Sequence, residues 1–237
     1  SVAAVPMVPE RLDPITAGLL GPSLTADLAR YADLEADDDI AYESWLMDLR
    51  RSGFTTHSDH PVVSAREPWI TVLLATMRPD LLPSILAQLD RQSWTSFDVV
   101  VGLHGGDADE PIVRSAVADF SRPVTVVEVN RDHNLGQVLE VLSGHARGDY
   151  IAKVDDDDWY GEYHLTDLMH AVAYSGATIV GSGAEFVYLA ELDMTIRRQS
   201  HMGHAYSRSL AGGTLLIARG DLQGVGGWRP VPRAGDT

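Results

Sequence analysis

From Trp69 onward the chain alternates short apolar runs with amphipathic stretches, and this rhythm narrows its possible folds more than any other feature. WITVLLAT (69–76), FDVVVGL (97–103), PVTVVEV (123–129) and DYIAKV (149–154) are continuous apolar runs rich in β-branched residues. That is the pattern of strands covered on both faces. Between them lie LLPSILAQLDRQ, PIVRSAVADF (111–120) and LGQVLEVLSGHA (135–146), which read as helices. In the first of these, Leu82, Ile85, Leu86 and Leu89 share a helical face. Strands alternating with helices imply an α/β fold, a mainly parallel sheet with helices on its faces.

The pattern is looser on either side. Residues 1–22 carry Pro6, Pro9, Pro14 and Pro22 and read as irregular. Residues 23–52 read as helical in two stretches, the second holding Ile40, Trp45, Leu46 and Leu49, with Ser52–Pro68 as a polar linker. The expected organisation is an irregular and helical extension with linker over 1–66, then one domain over 67–237. Within that domain, 163–176 predicts a helix capped by Gly176. Residues 177–189 and 194–199 predict strands in a hairpin, and 212–228 a strand followed by a short helix. The closing RPVPRAGDT stops after a loop, which predicts that the natural protein continues past Thr237.

With 18 basic and 34 acidic side chains, the formal charge is −16. Such a chain lacks the cationic surface that nucleic acids and anionic membranes need. A bound divalent cation reverses that sign locally. There is no cysteine, which excludes disulfides and thiolate metal sites and fits a reducing compartment. No apolar run reaches the roughly 18 residues of a membrane span.

In open α/β sheets, ligands bind beyond the carboxyl ends of the strands. ATMRPD (75–80), LHGGDAD (103–109) and the four aspartates Asp155–Asp158 all fall at such ends. Adjacent like charges after a buried strand call for a positive partner. Mg²⁺ takes oxygen ligands, commonly one or two carboxylates with phosphate oxygens and water. Extended alternation would turn Asp155 and Asp157 to one side and Asp156 and Asp158 to the other. The spacing is not that of an EF-hand. Lys153, within the fourth strand, either offsets these charges or reaches a phosphate. Asn134 and Gly136 read as a helix start. Arg197, Arg198, His201, His204 and Arg208 form a basic cluster, either a solvated loop or a lid.

From about Trp69 to Thr237 the sequence resembles the catalytic domain of glycosyltransferase family 2, of an actinobacterial type. ITVLLATMRP is similar to the family's opening strand and nucleotide-facing loop, and LLPSILAQLDRQSWTSFDVVVGLHGG to the next helix and strand. NRDHNLGQVLEVLSGHARGDYIAKVDDDDW resembles the approach to a DxD motif and the motif itself. AGGTLLIARGDLQGVGGWRPVPRAGDT resembles the acceptor side and the start of the base-bearing motif.

The resemblance implies a GT-A, Rossmann-like fold. It implies transfer of a sugar, with inversion, from a nucleotide-diphosphate donor (UDP the first choice) to a hydroxyl acceptor of unknown identity. Carried over by position, Thr76, Arg78, Asp155 and Asp156 bind the nucleotide sugar. Asp157, supported by Asp158, holds Mg²⁺ or Mn²⁺, and Asp236 is the general base. It implies a cytoplasmic enzyme, free or peripheral to the inner membrane face.

The sequence departs from the family at two places. His104 stands where an acidic residue often reads the nucleobase, with Asp107 as a candidate substitute across Gly105 and Gly106. Gly235-Asp236 replaces an acidic pair. The alternative is a non-catalytic nucleotide- or metal-binding module of the same fold within a larger protein. A sugar-phosphate nucleotidylyltransferase fits less well, because ATMRPD lacks the glycine-rich basic loop.

Overall fold

A computed structural model describes residues 39–57, 67–183, 185–198 and 206–231, with positions 25, 26, 28 and 30. The chain forms two compact units, Ser1–Glu67 and Pro68–Thr237.

In the first unit, helix α1 spans Asp39–His57. Trp45 is buried, and Asp48 pairs with Arg30 at 2.8 Å and with Arg51 at 2.9 Å. The helix runs through Ser52–His57, which the sequence reading gives to a linker. Gly53 alone costs a helix about 1 kcal/mol against alanine, too little to end it, and no proline intervenes before Pro61.

The second unit contains the expected alternation. Its elements are β1 (Ile70–Thr76), α2 (Leu82–Asp90), β2 (Phe97–His104), α3 (Pro111–Asp119), β3 (Val124–Val129), α4 (Leu135–Ser143) and β4 (Tyr150–Asp155). Then come α5 (His164–Ser175), β5 (Ile179–Val180), β6 (Phe186–Leu189), β7 (Met194–Arg197), β8 (Leu216–Ala218) and α6 (Arg219–Gly224). The main sheet has the order β3-β2-β1-β4-β8-β5. β3, β2, β1 and β4 run parallel, and β8 is antiparallel to both its neighbours. The mainly parallel sheet with flanking helices is therefore present.

β1 and β2 lie at the centre. Ile70, Val72, Leu73, Leu74, Val99, Val100 and Val101 are all fully buried, as two-sided coverage requires. Under α4, Val138, Leu139 and Leu142 pack with Leu73, Val100 and Trp228. Asn134 caps α4 reciprocally: its side chain accepts from Gln137 N at 3.0 Å, and Gln137 Oε1 accepts from Asn134 N at 2.9 Å. The helix-start reading of Asn134 therefore holds. Trp228 belongs to this core, with its indole N–H donating to Ser143 Oγ at 2.8 Å.

The expected strand over 177–189 is two separate strands. β5 ends at Val180, and β6 pairs instead with β7 in an independent hairpin. The cause lies at Gly181-Ser182. Thr214 Oγ1 accepts from Ser182 N at 2.9 Å, and a Cβ on Gly181 would lie 3.1 Å from the same oxygen. A side chain diverts the backbone from the ladder there.

The chain crosses from the β3 edge back to β4, on the other side of β1. The strand order therefore reverses between β1 and β4, and the carboxyl ends of these two strands flank the crevice. Ala75 and Asp155 are register partners there.

Candidate active site

Thr76 closes β1, and its hydroxyl donates to Asp156 Oδ2 at 2.5 Å. The Thr76 hydroxyl oxygen in turn accepts from Arg78 N at 2.9 Å. Arg78 grips Asp156 through two nitrogens, Nε to Oδ2 at 3.3 Å and Nη2 to Oδ1. Nη2 also reaches Asp157 Oδ2 at 2.8 Å. The Asp156 side chain is 7% exposed and that of Asp157 55%, so one carboxylate anchors the arginine and the other faces solvent. These hydrogen bonds, first to Asp156 and then to Asp157, hold the guanidinium well above its ordinary pKa. Arg78 is thus a positive partner for the aspartate run.

Alternation stops at Asp155, the last residue of β4, because 156–158 form a turn. The expected pairing of Asp155 with Asp157 is corrected accordingly. Asp156 and Asp157 share Arg78, while Asp155 and Asp158 turn toward Gly213. A Cβ at Gly213 would lie 2.6 Å from Asp155 Oδ2, 2.7 Å from Asp158 Oδ2 and 3.1 Å from the Tyr160 hydroxyl. Any side chain at Gly213 would have to push aside two carboxylates that already border that point.

Lys153 supplies the second positive charge. Its side chain is 2% exposed, and Nζ donates to Asp155 Oδ1 at 2.8 Å and to Gly212 O at 3.0 Å. It offsets the acidic charge from beneath, with its ammonium engaged by Asp155 and Gly212. Tyr160 accepts from Asp155 N at 2.8 Å and donates to Gly213 O at 2.6 Å, binding the aspartate turn to the Gly212–Thr214 segment. Burial pushes its phenol far above the usual range. Burial, then the charges of Asp155 and Asp157, also raise the Asp158 carboxyl. Behind Tyr160 lies the His164 ring, 4.8 Å away between centroids.

Among the described residues, no group of three or more His, Asp or Glu side chains converges as a metal cage. The donor set suits a hard cation that draws its other ligands from phosphate and water. A carboxylate whose charged form is disfavoured by burial and by neighbouring carboxylates, as that of Asp158 is, gains from a cation beside it.

A cleft of about 130 Å³ opens beside this network, lined in part by Thr76, Met77, His104, Glu110 and Arg131. His104 Nε2 hydrogen-bonds to Arg131 O at 3.1 Å. Gly105 turns with φ +79° and donates to Val129 O at 2.8 Å. Asp107 does not line the cleft; its Oδ1 accepts from Asp109 N at 2.8 Å in a local turn. Sequence reasoning missed Glu110 and Arg131. Arg131 follows β3, so the strand-end rule points to it as it does to the other loops. Glu110 has only its place before Pro111 at the start of α3. In the basic cluster, Arg197 Nη2 pairs with Glu185 Oε2 at 3.0 Å across the hairpin base. Asp236, His201 and His204 lie outside the described residues.

The site and sheet define an α/β protein with an acidic, arginine-clamped crevice at a topological switch point. Residues 72–223 match the family model "Glycosyl transferase family 2", and the chain belongs to that family. No protein of curated function matches it in sequence. Solved structures share the fold. A mannosyltransferase of Pyrobaculum calidifontis, PcManGT, in complex with GDP-Man and Mn²⁺, is 18% identical with a TM-score of 0.52, covering 88% of this chain and 60% of its own. S. aureus TarS is 18% identical with a TM-score of 0.54, covering 71% of this chain and 32% of its own. Its 1–349 fragment in complex with UDP-GlcNAc is 15% identical with a TM-score of 0.52, covering 71% and 51%. The chain thus spans from 32% to 60% of the length of these structures. No helix among the described residues is long and apolar enough to cross a membrane.

Proposed function

We propose that this chain carries the donor-binding and catalytic machinery of an inverting, divalent-metal-assisted glycosyltransferase. The observation that supports it best is the Thr76–Arg78–Asp156–Asp157 network at the reversal of strand order, in a chain of this family.

Asp157 and Asp158 would hold Mg²⁺ or Mn²⁺ at the donor site. Such an ion, when bound, supplies Lewis-acid stabilisation of charge on the leaving diphosphate. Arg78, a planar cation at the same rim, binds the phosphate oxygens. Asp155 takes the ribose or donor sugar. The cleft lined by His104, Glu110 and Arg131 takes the nucleobase, with UDP the proposed nucleotide. Asp236 takes the proton of the attacking acceptor hydroxyl. One displacement with one base inverts the anomeric carbon, by the geometry that governs inverting glycosidases. A cytoplasmic location accords with a chain that has no cysteine.

The test is thermal stabilisation by UDP, GDP, CDP and dTDP, each with and without Mn²⁺. Ligand at 100 times its Kd adds about 2.7 kcal/mol to the native state. UDP with Mn²⁺ is expected to raise the melting temperature, and Asp157→Ala to abolish the metal-dependent part. A folded chain that answers to no nucleotide refutes the donor site. Stabilisation without sugar transfer by the full-length protein would favour the non-catalytic module.

A further inference from the structure

We propose that Arg78 is a resident counter-ion on Asp157 that an incoming divalent cation displaces, and that Asp156 is the positioning residue holding Arg78 at the site through the exchange. This rests on the reading that Asp157 takes a metal.

The two contacts of Arg78 are unequal. Asp156 is buried, takes the guanidinium at two points, and is itself held by the Thr76 hydroxyl. Forked, charge-assisted contacts away from water are the strong kind. Asp157 meets a single nitrogen, Nη2, with more than half its side chain in solvent. Exposed single ion pairs contribute little. A dication arriving at the rim therefore takes Asp157 and leaves the Asp156 fork intact. The guanidinium stays in place, and the hydrogen-bonding capacity released on Nη2 faces the spot where a cation on Asp157 would carry the donor's phosphates. Until then Arg78 and Lys153 offset the mutual repulsion of the aspartate run. Donor-free protein is thereby kept from holding metal tightly, and metal and diphosphate arrive together.

The experiment measures Mn²⁺ alone, by the loss of the free-ion electron paramagnetic resonance signal, on native protein, Arg78→Met and Arg78→Lys. Circular dichroism melts confirm folding. Arg78→Met is expected to bind Mn²⁺ about threefold more tightly, the affinity equivalent of one exposed ion pair. Arg78→Lys is also expected to bind more tightly, because one ammonium cannot fork across both carboxylates and stays with buried Asp156. Equal or weaker binding by Arg78→Met overturns the exchange. Tighter binding by Arg78→Met with native affinity in Arg78→Lys overturns it too, since only the general field then matters. If no variant takes up Mn²⁺ even with UDP or GDP present, the metal reading itself has failed. Asp156→Asn is expected to weaken UDP binding in Mn²⁺, and unchanged binding would remove Asp156's positioning role.

Discussion

Lys153 and Asp155, two residues apart on β4, form an ion pair in which the ammonium is almost wholly buried and the carboxylate is 38% exposed. The asymmetry predicts unequal costs. Lys153→Met leaves a carboxylate that water reaches and a Gly212 carbonyl without this donor, costing about 2 kcal/mol. Asp155→Ala leaves a buried ammonium without its carboxylate and should cost about 3–5 kcal/mol. Urea midpoints at neutral pH check the order; equal losses would contradict it.

Thr76 is predicted to matter through Asp156. Thr76→Val removes the hydroxyl that donates to Asp156 Oδ2 and accepts from Arg78 N. A buried carboxylate oxygen short of a donor costs about 1–3 kcal/mol. The expected result is that loss together with weaker nucleotide stabilisation. A stability change without any binding change would separate Thr76 from the donor site.

Two glycines are predicted to fail in different ways. At Gly136 an added Cβ would meet Arg229 O at 1.7 Å, a backbone atom that cannot step aside. Gly136→Ala should cost about 3 kcal/mol or more in thermal unfolding, at the upper end of overpacking. At Gly213 the obstacles are the ends of Asp155 and Asp158. Those side chains can rotate, so Gly213→Ala should cost less stability but lose metal-dependent nucleotide stabilisation. Retained binding would argue against carboxylate convergence at that point.

Two groups give opposite pH dependences. Burial lowers His164 to a pKa of about 4, and its Nε2 has no hydrogen-bond partner among the described residues. The unfolded chain protonates near pH 6.5 and the folded chain does not. Stability is therefore full above 6.5 and falls as pH drops, by roughly 3 kcal/mol once below 4. His164→Phe should flatten that slope. Asp158 is raised in the folded state, so its share is present at low pH and fades as pH rises through its folded pKa. Asp158→Asn should then stabilise the metal-free protein at pH 7 while removing its response to Mn²⁺. A lower melting temperature for Asp158→Asn would refute the burial of charge at this position.

Much of the second unit was legible because burial on two faces forces continuous apolar runs, as in β1 and β2, and helical faces force a 3.6-residue period, as in α2. Asn134 and Gly136 were readable as a helix start because a cap is a local contact, made here with Gln137 three residues on. The rim was legible by rule, since parallel strands bring their carboxyl ends together. That placed Thr76, Arg78, His104 and Asp155–Asp158 near one another before any coordinates, and Arg131 stood under the same rule at the end of β3.

The sequence by itself therefore determined the layered α/β architecture, the edge on which the site lies and the acidic character of that edge. Only the tertiary structure decided which aspartate meets which partner. Asp156 became an anchor and Asp157 an exposed ligand because Arg78, 78 residues away, approaches from one side. Asp155 and Asp158 converge because a glycine from the β8 side leaves room for them. Strand and helix periods report whether a residue faces a core, and they carry no information about which distant side chain waits there.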